Sequence, residues 1–171
     1  MKLKKSFFNC SADKVAKELL GKILCRKMDN KILKAKIIET EAYFDESDPA
    51  SWARFGKRKD NFLMWDEPGK ILIKNVHKYL MLNFVAEKKG KAGAVLIRAL
   101  SPLNFCGNCS GPGLITECLK IDKSFNGKNI FNNKEIWLED NNKKPKIFRD
   151  YRVGVKNDLK NKFRFFIKGN R

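Results

Sequence analysis

Acidic residues gather where a basic chain has little reason to place them. Glu39, Glu41, Asp45, Glu46 and Asp48 fall within ten residues, although the 171-residue chain carries a formal net charge of +18. If this stretch is a strand, its two-residue period puts Glu39, Glu41 and Tyr43 on one face. A carboxylate beside an aromatic ring suits acid–base chemistry next to a stacking surface; a solvated strand end would use the same residues. Arg98 lies in the apolar run AVLIRAL at 94–100, on the expected face of Leu96 and Leu100. An arginine in such surroundings needs a carboxylate partner, and Glu41 or Glu39 could serve. Asn83, inside YLMLNFV at 79–85, is a second polar group in an apolar run, and a buried amide must find hydrogen bonds. Arg98 and Asn83 could equally do no more than organise a core.

The charge points to a partner. A field of +18 on so small a chain attracts polyanions, and nucleic acid is the first candidate. A basic loop holds Arg54, Lys57, Arg58 and Lys59, and the C-terminal run 156–171 holds six basic residues and one acid. The five cysteines are odd in number, so reduced thiols are expected. Cys106 and Cys109 form one CxxC without a second pair, and His77 is the single histidine; no metal is expected. No apolar run reaches the length of a membrane span, and the opening residues lack the apolar stretch of a secretory signal. The expected setting is the cytoplasm, associated with the nucleoid.

These residues need elements to hold them. Residues 11–21 read as a short helix, capped by Ser11 and ended by a left-handed Gly21, with Val15, Leu19 and Leu20 on its apolar face. Residues 23–25 and 32–43 read as strands around a turn at 28–31, and 71–76 and 79–85 as a hairpin with its tip at His77 and Lys78. Residues 94–100 make another strand, 112–119 a second helix with Ile115, Cys118 and Leu119 on one side, and 135–139 and 163–168 late strands. Residues 141–146 read as a polar loop. With 43% hydrophobic residues, the expectation is a single α+β domain over 1–171, with a curved, largely antiparallel sheet, flanking helices and a protruding β-hairpin.

Five blocks in order resemble one family. IIETEAY at 37–43, VLIRALSP at 95–102, SGPGL at 110–114 followed by IDKSFNG at 121–127, WLE at 137–139 and RVGV at 152–155 are similar to the alkyladenine (3-methyladenine) DNA glycosylases, over about residues 7–169. The resemblance implies a monofunctional, base-excision-repair hydrolase that flips a damaged purine from double-stranded DNA and cleaves its N-glycosidic bond, leaving an abasic site, with no cofactor. It implies that Glu41 activates the attacking water, that Arg98 and the Val153 carbonyl help hold it, and that Tyr43 walls the base pocket. It also implies that Asn83 excludes guanine by crowding its amino group. His77, Lys78, Arg54, Lys57 and Arg58 are the expected DNA contacts of a monomer.

Three positions depart from the family pattern. Trp52 stands where a histidine is usual, and Lys74 where a third pocket aromatic is common. A lysine pointing inward would disfavour cationic alkylated bases, and one pointing outward would not. The hairpin tip is one residue shorter, with His77 expected as the wedge into the minor groove and Val76 as the alternative. These departures leave room for a non-catalytic nucleic-acid-binding protein, sensing damage or binding RNA, on the same fold.

Overall fold

One thirteen-residue strand, exposed at its start and buried over residues 37–42, is the spine of the molecule. The computed structural model describes residues 1–168; the end of the basic C-terminal run, from Gly169 to Arg171, lies outside the described residues. In chain order the elements are α1 (Lys5–Phe8), α2 (Ala12–Leu19), β1 (Ile23–Met28), β2 (Lys31–Tyr43), β3 (Ile71–Val76), β4 (Tyr79–Val85), β5 (Ala94–Pro102), α3 (Pro112–Cys118), β6 (Ile136–Glu139), β7 (Ile147–Asp150) and β8 (Arg164–Ile167). Short 3-10 turns occupy Phe62–Trp65 and Lys123–Phe125. The strands form one eight-stranded sheet in the order β3-β4-β5-β2-β1-β6. β8 adds to the far half of β2, at Glu39 to Glu41, and carries β7. The pairings between these strands are antiparallel. Helices and an antiparallel sheet give the α+β class.

Period two splits the sheet into two faces with different tasks. Ile71 and Ile73, Leu82 and Phe84, and Val95 and Ile97 point into the main core. There α2 supplies Ala12, Val15, Ala16 and Leu19, and α3 supplies Ile115, with Leu119 just beyond it. The small Ala16 lets α2 approach β2 closely, and the Thr40 hydroxyl donates to the Ala16 carbonyl at 2.9 Å. The alternate positions Leu72, Val85 and Ala94 face the other way and pack with Ala53, Leu63 and Met64. The long connection from β2 to β3 folds over this second face and brings Trp52 and Trp65 with it.

Several local expectations need correction. Ser11 does not cap α2; its hydroxyl donates to Asp13 instead. The free Ala12 N–H at that helix start donates to the Glu87 carboxylate, which folding brings from 75 residues away. Gly21 does adopt the left-handed region (φ +83°), one residue beyond the C-cap Leu20, and its N–H donates to the Ile37 carbonyl. Leu100 does not share the face of Arg98. The β2–β5 register slips at Glu39, and past the slip Leu100 joins Ile97 in the core while Leu96 and Arg98 stay on the second face. β7 and the one-turn α1 lie in stretches that carry no clear periodicity.

Candidate active site

Glu41 projects from β2 on the second face and has no solvent exposure. Its Oε2 accepts from the Tyr43 hydroxyl at 2.8 Å, two residues along the same strand face. Its Oε1 accepts from the Val153 backbone N–H at 2.8 Å. Arg98, on neighbouring β5, places Nε 3.4 Å from Glu41 Oε1 and 3.4 Å from Glu39 Oε1. Arg98 Nε is buried and makes no hydrogen bond. Both expected carboxylate partners therefore flank the arginine. Burial pushes the Glu41 carboxyl above the ordinary carboxylate range, opposed by the Arg98 charge, the Val153 N–H and the Tyr43 hydroxyl. Burial and the Glu41 charge push the Tyr43 hydroxyl upward, so it stays a proton donor.

The acid cluster divides into separate duties. Glu39 also meets Arg164 of β8 at 3.1 Å, and Asp45 accepts from Ser47. Asp48 is fully buried and takes both Arg152 terminal nitrogens, at 2.6 and 2.7 Å. Arg152 also donates to the Ala42 carbonyl and twice to Asp158 Oδ1, and its guanidinium stacks 4.6 Å from the Tyr43 ring. These bonds pin the segment 152–158 over the end of β2. The next backbone N–H in that segment, at Val153, is the one that meets Glu41. Arg152 and Asp48 thus position the catalytic candidate, a role that sequence reading missed. The one signal was an RVGV block with an arginine beside the named Val153.

Alternate residues of three strands line a small recess next to Tyr43, the hydrogen-bond partner of Glu41. Leu72 and Lys74 of β3, Met81 and Asn83 of β4, and Ala94 and Leu96 of β5 meet Tyr43, Trp52 and Met64 around a cavity of about 70 Å³. Asn83 is buried, and its amide donates to the Leu72 and Met81 carbonyls at 3.2 and 3.0 Å. Lys74 points inward, with Nζ 5.4 Å from the centre of the Trp52 ring. Tyr43, Lys74, Met81 and Leu96 also border a wider cleft of about 600 Å³, whose wall includes Arg98 and Val153. Glu41 lies behind these two residues. The structure brings Glu41, Tyr43, Arg98, Val153, Trp52 and Asn83 together, with the Val153 N–H rather than its carbonyl in contact with Glu41.

The basic residues divide between the cleft and its surroundings. Arg54 lines the cleft, stacks on exposed Phe55 at 4.6 Å and donates to the Ser51 carbonyl. Lys156, which the sequence marks only as part of a basic run, lines the same cleft. Lys57 and Arg58 are exposed, and Arg58 pairs with Asp60 at 3.3 Å. At the β3–β4 tip His77 (φ +53°) and Lys78 are exposed, while Val76 lines the cleft. The CxxC cysteines part company: Cys106 is exposed, and Cys109 is a buried free thiol beside the free thiol of Cys118. Among the described residues no helix is long and apolar enough to cross a membrane.

Comparison with known proteins gives one consistent family. A protein of Aeropyrum pernix named "Putative 3-methyladenine DNA glycosylase" is 38% identical over 98% of this chain and 90% of its own length. Proteins with the same name from Chlorobium phaeobacteroides and Clostridium perfringens are 36% and 34% identical, covering 97% and 100% of this chain and 93% and 98% of their own. The family model described as methylpurine-DNA glycosylase matches residues 6–171, and the chain belongs to that family.

Proposed function

We propose that this protein is a monofunctional purine DNA glycosylase that hydrolyses the bond between a damaged purine and its deoxyribose. The observation that carries the proposal is the buried Glu41 carboxylate, held beside Arg98 by Val153 and by Tyr43, which with Trp52 lines the neighbouring recess. A base inside a duplex is out of reach of such a recess, so the nucleotide must flip into it. Tyr43 and Trp52 line the recess that would receive the extrahelical base. Asn83, its amide held by two carbonyls, is set rigidly enough to crowd a purine 2-amino group.

The reaction then follows from charge and proton affinity. As the C1′–N bond breaks, its electron pair leaves with the base and positive charge grows on the sugar. The Glu41 carboxylate stabilises that charge and accepts a proton from the water that attacks C1′. A carboxylate of raised proton affinity is the better base for this step, provided it is ionised. Arg98 Nε, a buried donor without an acceptor, suits a water oxygen that sits beside the Arg98–Glu41 pair and contacts both, and the Val153 carbonyl is the proposed third contact. Arg54, Lys57, Arg58, Lys78 and Lys156 are the proposed phosphate contacts, and Val76 or His77 the residue that fills the gap left by the flipped base.

The test incubates purified protein with duplexes carrying hypoxanthine, ethenoadenine or methylated purines and scores abasic sites after alkali. Glu41→Gln is expected to abolish release and keep binding. Wild-type protein that releases none of these bases would instead support a non-catalytic, damage-binding protein on this fold. An active Glu41→Gln form would remove Glu41 from the role of base.

A further inference from the structure

Lys74 is a charge in a place built for apolar and aromatic contact. Its strand neighbour on the same face is Leu72, its cross-strand partner is Met81, and its ammonium stands over Trp52. No ion pair or hydrogen bond holds that ammonium among the described residues. The charged neighbour that acts on it is Arg54, which is also positive, and both burial and Arg54 weaken its hold on a proton. A lysine with no carboxylate partner in a recess is not explained by local structure. It is an ammonium with three donors and no acceptor, facing whatever enters.

We propose that Lys74 determines specificity, favouring uncharged purines that present an acceptor oxygen at position 6 over purines made cationic by N-alkylation. The inference rests on the glycosylase reading of the same site. A 6-oxopurine lacking the 2-amino group offers O6 and N7 to the ammonium and avoids the crowding at Asn83. An N-alkylated purine nucleotide brings a second positive charge into the recess with Lys74, and no carboxylate pairs with Lys74 to offset the repulsion. Two unit charges about 5 Å apart at an effective dielectric constant of about 20 repel strongly enough to change binding on the order of a hundredfold. Screening from the open cleft reduces that to about tenfold or somewhat more. The pocket would thereby lean away from the methylated cations named for the family.

The experiment measures single-turnover release of hypoxanthine and of 7-methylguanine, the latter in a duplex stabilised against spontaneous loss. Wild type, Lys74→Met, Lys74→Gln and Lys74→Arg are compared. Equilibrium binding of the same duplexes is read in the Glu41→Gln background. Both neutral variants are expected to move the hypoxanthine to 7-methylguanine ratio about tenfold toward the cation, in binding and in release, and Lys74→Arg to restore it. The guanine 2-amino group affects every variant alike and cancels in this comparison. If the neutral variants weaken both duplexes equally, Lys74 is a phosphate contact and the proposal falls. If the binding ratio moves but wild type releases no base, the Lys74 assignment stands and the glycosylase reading fails. An unchanged ratio in all variants overturns the Lys74 assignment whatever the activity.

Discussion

Arg152→Met separates the positioning of Glu41 from its chemistry. The substitution keeps an unbranched side chain of similar length and removes the guanidinium that bonds Asp48 twice, Asp158 twice and the Ala42 carbonyl once. Both Arg152 and Asp48 side chains have no solvent exposure. Removing one partner of a buried pair leaves the other charge uncompensated, at a cost of about 3–5 kcal/mol. Asp48 still accepts from the Phe44 and Ala50 N–H groups, which favours the lower part of that range. For a chain of this size each kcal/mol moves the melting temperature by about 2–4 °C, so a fall on the order of 10 °C is expected. The segment 152–158 also loses its anchor, and Glu41 loses a dependable Val153 N–H. That donor holds the Glu41 proton affinity down, so base release slows by about tenfold and the acid limb of its pH profile moves up. Adding Asp48→Asn to Arg152→Met removes the stranded charge and recovers part of the lost stability. Thermal melts of the four proteins, with single-turnover pH profiles, read all of this. Melting within about 1 °C of wild type for Arg152→Met, or additive single and double variants within about 0.5 kcal/mol, would refute the reasoning.

Other expectations follow from the same geometry. Because burial raises the Glu41 carboxyl, base release should lose activity as pH falls at a point above the ordinary carboxylate range. Tyr43→Phe, which deletes a hydrogen bond that favours the ionised form, should move that limb higher still; a limb that moves down contradicts the assignment. The sign for stability runs the same way. A carboxyl raised in the folded state favours folding below its unfolded pKa, and that contribution is lost as pH rises through the folded value. Glu41→Gln should therefore stabilise the protein at pH 8 relative to wild type, with a smaller gain at pH 5, as melts across pH would show. Binding to duplex DNA should weaken steeply with salt. Removing both Lys57 and Arg58 should lower the slope of log K against log salt by about 2 if each meets a phosphate, and leave it unchanged if they stay in water.

The period-two pattern carried much of the site in the sequence. Glu41 with Tyr43, Lys74 with Leu72, Met81 with Asn83, and Leu96 with Arg98 each share a face because alternate side chains on a strand do so wherever the chain runs. The hairpin tip at His77 and Lys78, and the need of Arg98 for a carboxylate, were legible for equally local reasons. The pattern failed where regular pairing fails. The register slip at Glu39 sent Leu100 into the core, and no count of apolar residues marks such a slip. Ser11 has the right residue type for a cap, yet its hydroxyl donates to Asp13, and a carboxylate from across the fold accepts from the first N–H of the helix.

Sequence by itself determined the residue types that meet at the site, the face each strand residue shares and the positive field around them, because these depend on neighbours a few positions away or on a sum over the chain. Tertiary structure decided the rest. Whether Lys74 points into the recess depends on how the connection from β2 to β3 lays Trp52 over the sheet. That Arg152 joins Asp48 across 104 residues depends on where the segment 152–158 crosses β2. A buried charge is tolerated only beside its partner, and that partner becomes a neighbour only when the chain folds.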